Sequence, residues 1–465
     1  SSAASDVYKR QALLADDRGA NLATLGAILL FGMTVTELRH TPAPPTGTPG
    51  EYEIVVRERL SEREGKTASG TTIRARRNSA TGEWLPAAGN LVVRCDSSTA
   101  LNPGDRAVVR GKIYPFTARH GGYGRLMTRR GYVGTLYLNR SSLLLSDTLH
   151  RELSPKHLSL FLHERAVARL DRLALAPDEQ ALCNAMTAGD RRSLSPALRA
   201  AYSRSGTSHL LAVSGLHVGI VFLLANLLLW WLPLFRHGHI LRNIAVILLI
   251  WLYAATTGFP PSVVRAALMF SVLQFALASS SEYVGMNTLA GVAFVMLLFH
   301  PDYLFDISFQ LSFIAVAGII AWGLPLCRLL RTRRKSIDML TATLAIGFSA
   351  SAATAPLISH TFGQISVVGL ALNPVVILLS YVVVGSCTLW LVIPGTVLAP
   401  LFSDVAGFAA RAQNELIRAA AALPAAALDI RLTTTQCWIV YGLFIFATLL
   451  LWSAERKKSV SSLPE

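Results

Sequence analysis

Ser214 and His217 stand three residues apart at the start of a long apolar run, and at about 100° per residue they share a helical face with Thr207, beside Gly215 and Gly219. His209 falls off that face. A serine next to an imidazole is the nucleophile and base of covalent hydrolysis, which needs the two groups within about 3 Å. Intramembrane serine proteases normally take that pair from separate helices, and no Gly-x-Ser-Gly is present here. The same residues equally suit a polar stripe facing a wet path, or a seam where small side chains let helices approach. Arg265 lies in a second apolar run with Ser262 and Met269 on its face, and Asp306 with Gln310 opens a third. Charges in apolar spans pair or line a cavity, so Arg265 and Asp306 are expected to neutralise each other or Arg265 to meet an anion. Asn373-Pro374 interrupts a further run, where freed backbone groups could face a polar cavity or simply a neighbouring helix, while His300 and His360 sit at span ends. The pair His237-Gly-His239 continues as Ile-Leu-Arg, and Cys95, Cys183, Cys327, Cys387 and Cys437 are scattered, so no metal, cofactor or disulfide framework is expected.

These residues sit in a chain of 465 residues that is 52% hydrophobic and 15% charged, with apolar runs of about membrane-spanning length. The expected class is a polytopic α-helical membrane protein. The net charge of +15 suits a polyanion or anionic lipid, though basic loops also arise from membrane orientation.

Residues 1–11 lack a signal-peptide pattern and are set aside as a non-native scar, and 12–40 holds one expected span, Asn21 to Thr36. From Glu51 the pattern changes to short β-rich segments, Tyr52 to Val56, Thr71 to Ala75, Leu91 to Cys95, Arg106 to Ile113 and Tyr132 to Leu138, separated by Gly, Asn, Asp and Pro. Five short strands within 51–150 predict an inserted OB-like β-barrel. That module has 16 Lys+Arg against 9 Asp+Glu. Arg119, Tyr123, Arg125, Arg129, Arg130 and Tyr132 interleave cations with rings, the combination that single-strand binding uses, with phosphates tracked by charge and bases by stacking. The ordinary alternative is a solvated charged face over an aromatic core. Residues 151–205 mix apolar residues with Arg165, Arg169, Arg172, Arg191, Arg192 and Arg199, predicting amphipathic helices at the membrane surface or leading into the spans that follow.

Spans follow at His209 to Leu234, Ile240 to Ala255, Ser262 to Ala278, Met286 to Phe299 and Ile307 to Leu324. The loop Arg328 to Lys335, with four Arg and one Lys, is expected on the cytoplasmic side, which places 51–205 outside. Met339 to Leu357, Ile365 to Ile393, a weaker Val397 to Ala410 and Cys437 to Trp452 would return the 456–465 tail to the cytoplasm.

The wording His-Leu-Leu-Ala-Val-Ser-Gly-Leu-His-Val-Gly at 209–219 resembles the signature of the ComEC family of competence proteins. Three further blocks resemble that family in order: Thr257-Gly258 with Ser262 to Met269, Asp306 to Phe313, and Ala355-Pro356 through Asn373-Pro374. The resemblance covers about residues 20 to 455, with 206–455 as the competence-type channel domain. It implies an inner-membrane channel importing single-stranded DNA in natural transformation, with an extracytoplasmic OB-like domain. It further implies a DNA receptor outside, a cytoplasmic translocase, single-strand-binding proteins, surrounding lipid and a homo-oligomer as partners. On this reading Thr207, Ser214, His217, Arg265, Asp306, Gln310 and Asn373 line the channel and no residue is catalytic. The metallo-β-lactamase-type nuclease domain of many such proteins is not in this sequence, and one or two upstream spans are expected to be missing. A transporter for another anion and an intramembrane serine protease are the competing readings.

Overall fold

The computed structural model describes residues 47–461 apart from 64–65, 79–80, 97–100, 102–103, 117–123, 125–126, 129–131, 148–154, 279–284, 367, 394–398 and 425. The described residues form two compact units, one built on six strands and one on helices.

In the first unit, β1 (Pro49–Arg63), β2 (Lys66–Arg77), β3 (Trp84–Asp96), β4 (Arg106–Pro115), β5 (Tyr132–Leu138) and β6 (Leu143–Asp147) carry the β-branched and alternating residues that fit a half-buried pleated surface. The order is β1-β2-β3-β5-β4, and β4 pairs back with β1 to close a barrel, with β6 added on β4. All neighbours are antiparallel except β3 and β5. Closure removes the exposed edges that an open sheet would present. Ile54, Val56, Leu91, Val93, Val109, Ile113, Leu136 and Leu138 fill the interior. The OB-like barrel expected from the sequence is therefore present, with longer strands than the hydrophobic runs alone marked.

In the second unit, α1 (Pro155–Leu170), α2 (Pro177–Thr187) and α3 (Pro196–Arg204) precede α4 (Gly215–Leu228), α5 (Gly238–Thr256) and α6 (Pro261–Ala278). Helix α7 (Gly285–Phe299) follows, then α8 (Ile307–Leu329), α9 (Lys335–Phe362), α10 (Val368–Val392), α11 (Ala399–Ala422) and α12 (Thr434–Ser461). Starts and stops follow local chemistry. Pro177 and Pro196 occupy first turns, where a missing N–H costs nothing, Ser195 and Asp306 accept from orphan amides, and Gly363 closes α9 in the left-handed region. Among the described residues, five helices are long and apolar enough to cross a membrane, within 215–234, 238–256, 307–329, 337–362 and 371–392, and shorter apolar helices lie at 261–277, 285–299 and 434–446; the expected span Asn21 to Thr36 lies outside the described residues.

The polar helices α2 and α3 sit inside this bundle. Leu182, Cys183, Met186, Leu198 and Tyr202 form one core with Val376, Val383 and Cys387 of α10 and Ala406, Ala410 and Ile417 of α11. The expected surface position fails for α2, because its Arg-poor sequence buries eight of eleven residues, Glu179 included. Two strands, β7 (Ile365–Ser366) and β8 (Ala427–Leu428), pair antiparallel and tie the start of α10 to the end of α11.

Candidate functional site

The signature stretch is not one helix. Tyr202 to Ser205 ends α3, Ser208–Leu211 makes a short 3-10 turn, and α4 begins only at Gly215 with Ser214 as its N-cap. The Ser214 backbone N–H donates to His217 Nδ1 at 2.9 Å, while Ser214 Oγ lies 3.5 Å from the same nitrogen. Ser-x-x-His therefore serves as a capping box, satisfying amides that every helix start leaves unpaired. Since Nδ1 accepts, the neutral ring carries its proton on Nε2. That atom is buried without a hydrogen-bond partner among the described residues, and His217 is fully buried. Nδ1 is thus already engaged by an amide, and at 3.5 Å from Ser214 Oγ it lies beyond the distance that nucleophilic catalysis needs.

Around this cap the other quoted blocks converge. Ser262 Oγ, in the first turn of α6, donates to the Val213 carbonyl at 2.9 Å. One turn on, Arg265 is 7% exposed; its Nε donates to Ser312 Oγ of α8 at 2.7 Å, and its guanidinium lies 5.8 Å from the Phe313 ring. A Cβ at Gly215 would stand 2.8 Å from Arg265 Nη2, so α4 starts against this guanidinium because residue 215 has no side chain. Leu210, Leu211 and Ile220 share a core with Leu372 and Val376, the neighbours of Asn373. The carboxyl end of α5 completes the cluster: Ser159 Oγ donates to the Ala255 carbonyl at 2.6 Å, and His163 Nδ1 approaches the Thr256 carbonyl at 3.0 Å.

The electrostatics follow from which ends meet. The amino ends of α4 and α6 lie together, each equivalent to about half a positive charge, and Arg265 stands between them. From Arg191 to Ser281 the chain has no Asp or Glu, a compositional signal legible in the sequence. Just upstream, Asp190 is buried and accepts from Arg192 Nε at 2.9 Å and Nη2 at 2.8 Å. Burial alone would raise its pKa, but the paired guanidinium holds it below the ordinary carboxylate value.

The remaining sites expected from the sequence fall as follows. Thr207 is buried, with Oγ1 2.7 Å from Ser205 Oγ. Asp306 caps α8, accepting from Ser308 N at 2.8 Å and Phe309 N at 3.0 Å, and forms no ion pair with Arg265. Gln310 Nε2 donates to the Leu304 carbonyl at 2.8 Å. Asn373 is half-buried within α10, its Oδ1 without a partner among the described residues.

On the barrel, Arg119, Tyr123, Arg125, Arg129 and Arg130 lie outside the described residues. Tyr132 is buried with Ala68, Val92 and Met127, so its ring faces no ligand. Instead Tyr114 and Tyr137 are exposed, 5.8 Å apart and edge to face, with Lys112 Nζ 5.6 Å from the Tyr114 ring. Part of the basic surface is internally compensated: Glu51 pairs with Arg77 and Arg110, and Glu53 with Arg106.

The model of the Competence protein family matches residues 186–457. ComE operon protein 3 of Bacillus subtilis (strain 168) is 32% identical over 204 residues, 43% of this chain and 24% of that protein. An uncharacterized protein of Aquifex aeolicus (strain VF5) is 29% identical over 201 residues, 43% of this chain and 45% of that protein. The chain thus matches less than half the length of either relative. No solved structure matches. With its helical bundle and signature cluster inside a match that covers more than half of the chain, the protein belongs to the competence protein family.

Proposed function

We propose that this chain forms the membrane part of a channel that imports single-stranded DNA during natural transformation, in the bacterial inner membrane and with the barrel on the outer side. The observation that carries this reading is the convergence of the competence blocks on one point, where the starts of α4 and α6 meet at the Arg265 guanidinium. Helix amino ends and a guanidinium are what a phosphodiester backbone seeks, and passage past them needs no base recognition. The barrel contributes Tyr114, Tyr137 and Lys112 as a stacking and charge platform of the kind that takes single strands without regard to sequence. Asn373, Ser214 and His217 position the helices around this point. A translocase and single-strand-binding proteins on the inner side, and a receptor outside, complete the pathway.

The test is uptake of labelled DNA into the cytoplasm of a transformable host that lacks its own channel and carries the gene encoding this chain. Restored uptake that Arg265→Gln lowers at least about tenfold at equal membrane abundance, with partial recovery in Arg265→Lys, supports the reading. Full uptake by Arg265→Gln would make the arginine a packing residue. Transport of inorganic anions without DNA uptake would favour an anion transporter instead.

A further inference from the structure

The turn between α4 and α5 carries a feature that DNA passage does not require. Successive backbone bonds lock it: Leu232 N to Leu229 O at 3.2 Å, Phe235 N to Leu232 O at 3.1 Å and Gly238 N to Phe235 O at 3.0 Å. Gly238 packs so closely that a Cβ there would stand 1.6 Å from the Leu232 carbonyl oxygen, so no other residue fits without moving the turn. The Trp231 indole N–H donates to the Leu228 carbonyl at 2.9 Å, and its ring meets Phe235 edge to face at 6.0 Å. Against this fixed turn lies a groove of about 670 Å³, lined by Trp231, Leu232, Phe235, Ile240, Leu241 and Ile244.

Two properties of its surroundings define the occupant. Below the groove, Ile240, Ile244, Leu248 and Leu252 are exposed at every fourth position of α5. With a rise of about 1.5 Å per residue they make an apolar track about 18 Å long, enough for much of an acyl chain. At the turn, Arg236, His237 and His239 are exposed, and Arg242 follows one turn into α5. The charged side chains of the turn itself are all basic, which favours the phosphate of an anionic head group over a zwitterionic one.

We infer that this groove is a binding site for a phospholipid with an anionic head group, its phosphate held by Arg236 and His239 and one acyl chain laid along the α5 track. The site is preformed, so little ordering accompanies binding, and it rests on the membrane fold alone, independent of what the channel carries.

The experiment places the purified full chain in bilayers of equal phosphatidylglycerol and phosphatidylcholine, re-extracts it, and measures the co-purifying lipid by mass spectrometry. Phosphatidylglycerol is expected to be retained about tenfold over phosphatidylcholine, and Arg236→Gln with His239→Gln to lower that retention about fivefold, while Arg236→Lys keeps it. Both changed side chains are exposed, so folding is undisturbed. Equal retention of the two lipids, or an unchanged preference in the double variant, overturns the assignment. Displacement by inorganic phosphate alone would show a free-phosphate site, and displacement by a single-stranded oligonucleotide a nucleic-acid contact; either outcome rejects the lipid.

Discussion

Replacing Gly215 by alanine tests whether the α4 start and Arg265 form one unit. The new Cβ would stand 2.8 Å from Arg265 Nη2 and 3.5 Å from the Ala266 Cβ. The backbone at 215 is not in the left-handed region, so the helix itself gains up to about 1 kcal/mol from losing a glycine, and less in a first turn. Nη2 is the end of a long side chain, but it has little room to move. Arg265 is 7% exposed, and its guanidinium is tethered through Nε to Ser312 and through Nη1 to Met269 Sδ at 3.3 Å. Moving it sacrifices a charged hydrogen bond worth about 1.5–3 kcal/mol, so Gly215→Ala should destabilise the chain by about 1–2 kcal/mol. Lysine at 265 has no Nη2, so in an Arg265→Lys background the same alanine should be neutral or slightly stabilising. The assay is denaturant unfolding of the detergent-purified chain, arranged as a double-mutant cycle with a coupling of about 1–2 kcal/mol. A Gly215→Ala change that costs the same in both backgrounds, or nothing in either, refutes the unit.

Two further outcomes follow from the same packing. The Cys183 and Cys387 thiols, both fully buried, lie in the same core where α2 packs against α10. A membrane-permeant oxidant should therefore link residues 183 and 387, read by mass spectrometry of the digested chain, and persistence of both as free thiols while Cys327, the least buried cysteine, oxidises would contradict α2 lying against α10. The Asp190–Arg192 pair sets a pH dependence. Because the folded pKa of Asp190 is depressed, its stabilisation is complete above the unfolded carboxylate value of about 3.9 and is lost as pH falls through the folded value. The melting temperature of Asp190→Asn should lie below that of the native chain at neutral pH and converge with it in acid; a constant gap would remove Asp190 as the cause.

What the sequence made legible was what local period and composition encode. The five barrel strands were visible because alternation is a property of each segment, and the apolar helices because their runs are long. The start of α4 was hidden because Leu210 to Val213 are apolar and continue the hydrophobic pattern through a 3-10 turn and an extended cap. A serine followed by glycine, with a side-chain acceptor three residues on, is nonetheless a helix-start signal. Tyr132 was grouped with DNA contacts by composition, yet it stands five positions from Tyr137 on β5, an odd number that sends the two to opposite faces. Choosing by parity would have selected Tyr137 and, through the β4–β5 pairing, Tyr114. The partner of Asp306 was misjudged because a lone aspartate before a helix has its own amides to satisfy. No local pattern could show α2 against α11, since Glu179 meets Arg411 across 232 residues.

Helix α11 shows how that last contact decides the architecture. Its composition falls short of a lipid-facing span, with Asp404, Arg411, Glu415 and Arg418 along its length. Its ends fix its course all the same. At one end Trp390 Nε1 of α10 and Ser403 Oγ of α11 reach the Arg169 and Leu173 carbonyls, and at the other β7 pairs with β8. Helix α11 therefore runs antiparallel to α10 for about 36 Å, the full depth of its neighbour. Two of its polar residues are turned inward: Gln413 and Asn414 are buried and bond the Tyr202 hydroxyl. Arg411 and Arg418 are exposed and pair with Glu179 and Asp178, and Leu401, Val405 and Phe408 are exposed as well. Mean hydropathy counts Gln413 and Asn414 as a cost, although protein and not lipid receives them. Counting α11 as a pass, α9 to α12 make four, an even number, so Arg456, Lys457 and Lys458 fall on the same side as the basic loop Arg328 to Lys335. On that count the positive-inside rule would be satisfied, with Asp178 and Glu179 as the carboxylates that pair with Arg418 and Arg411.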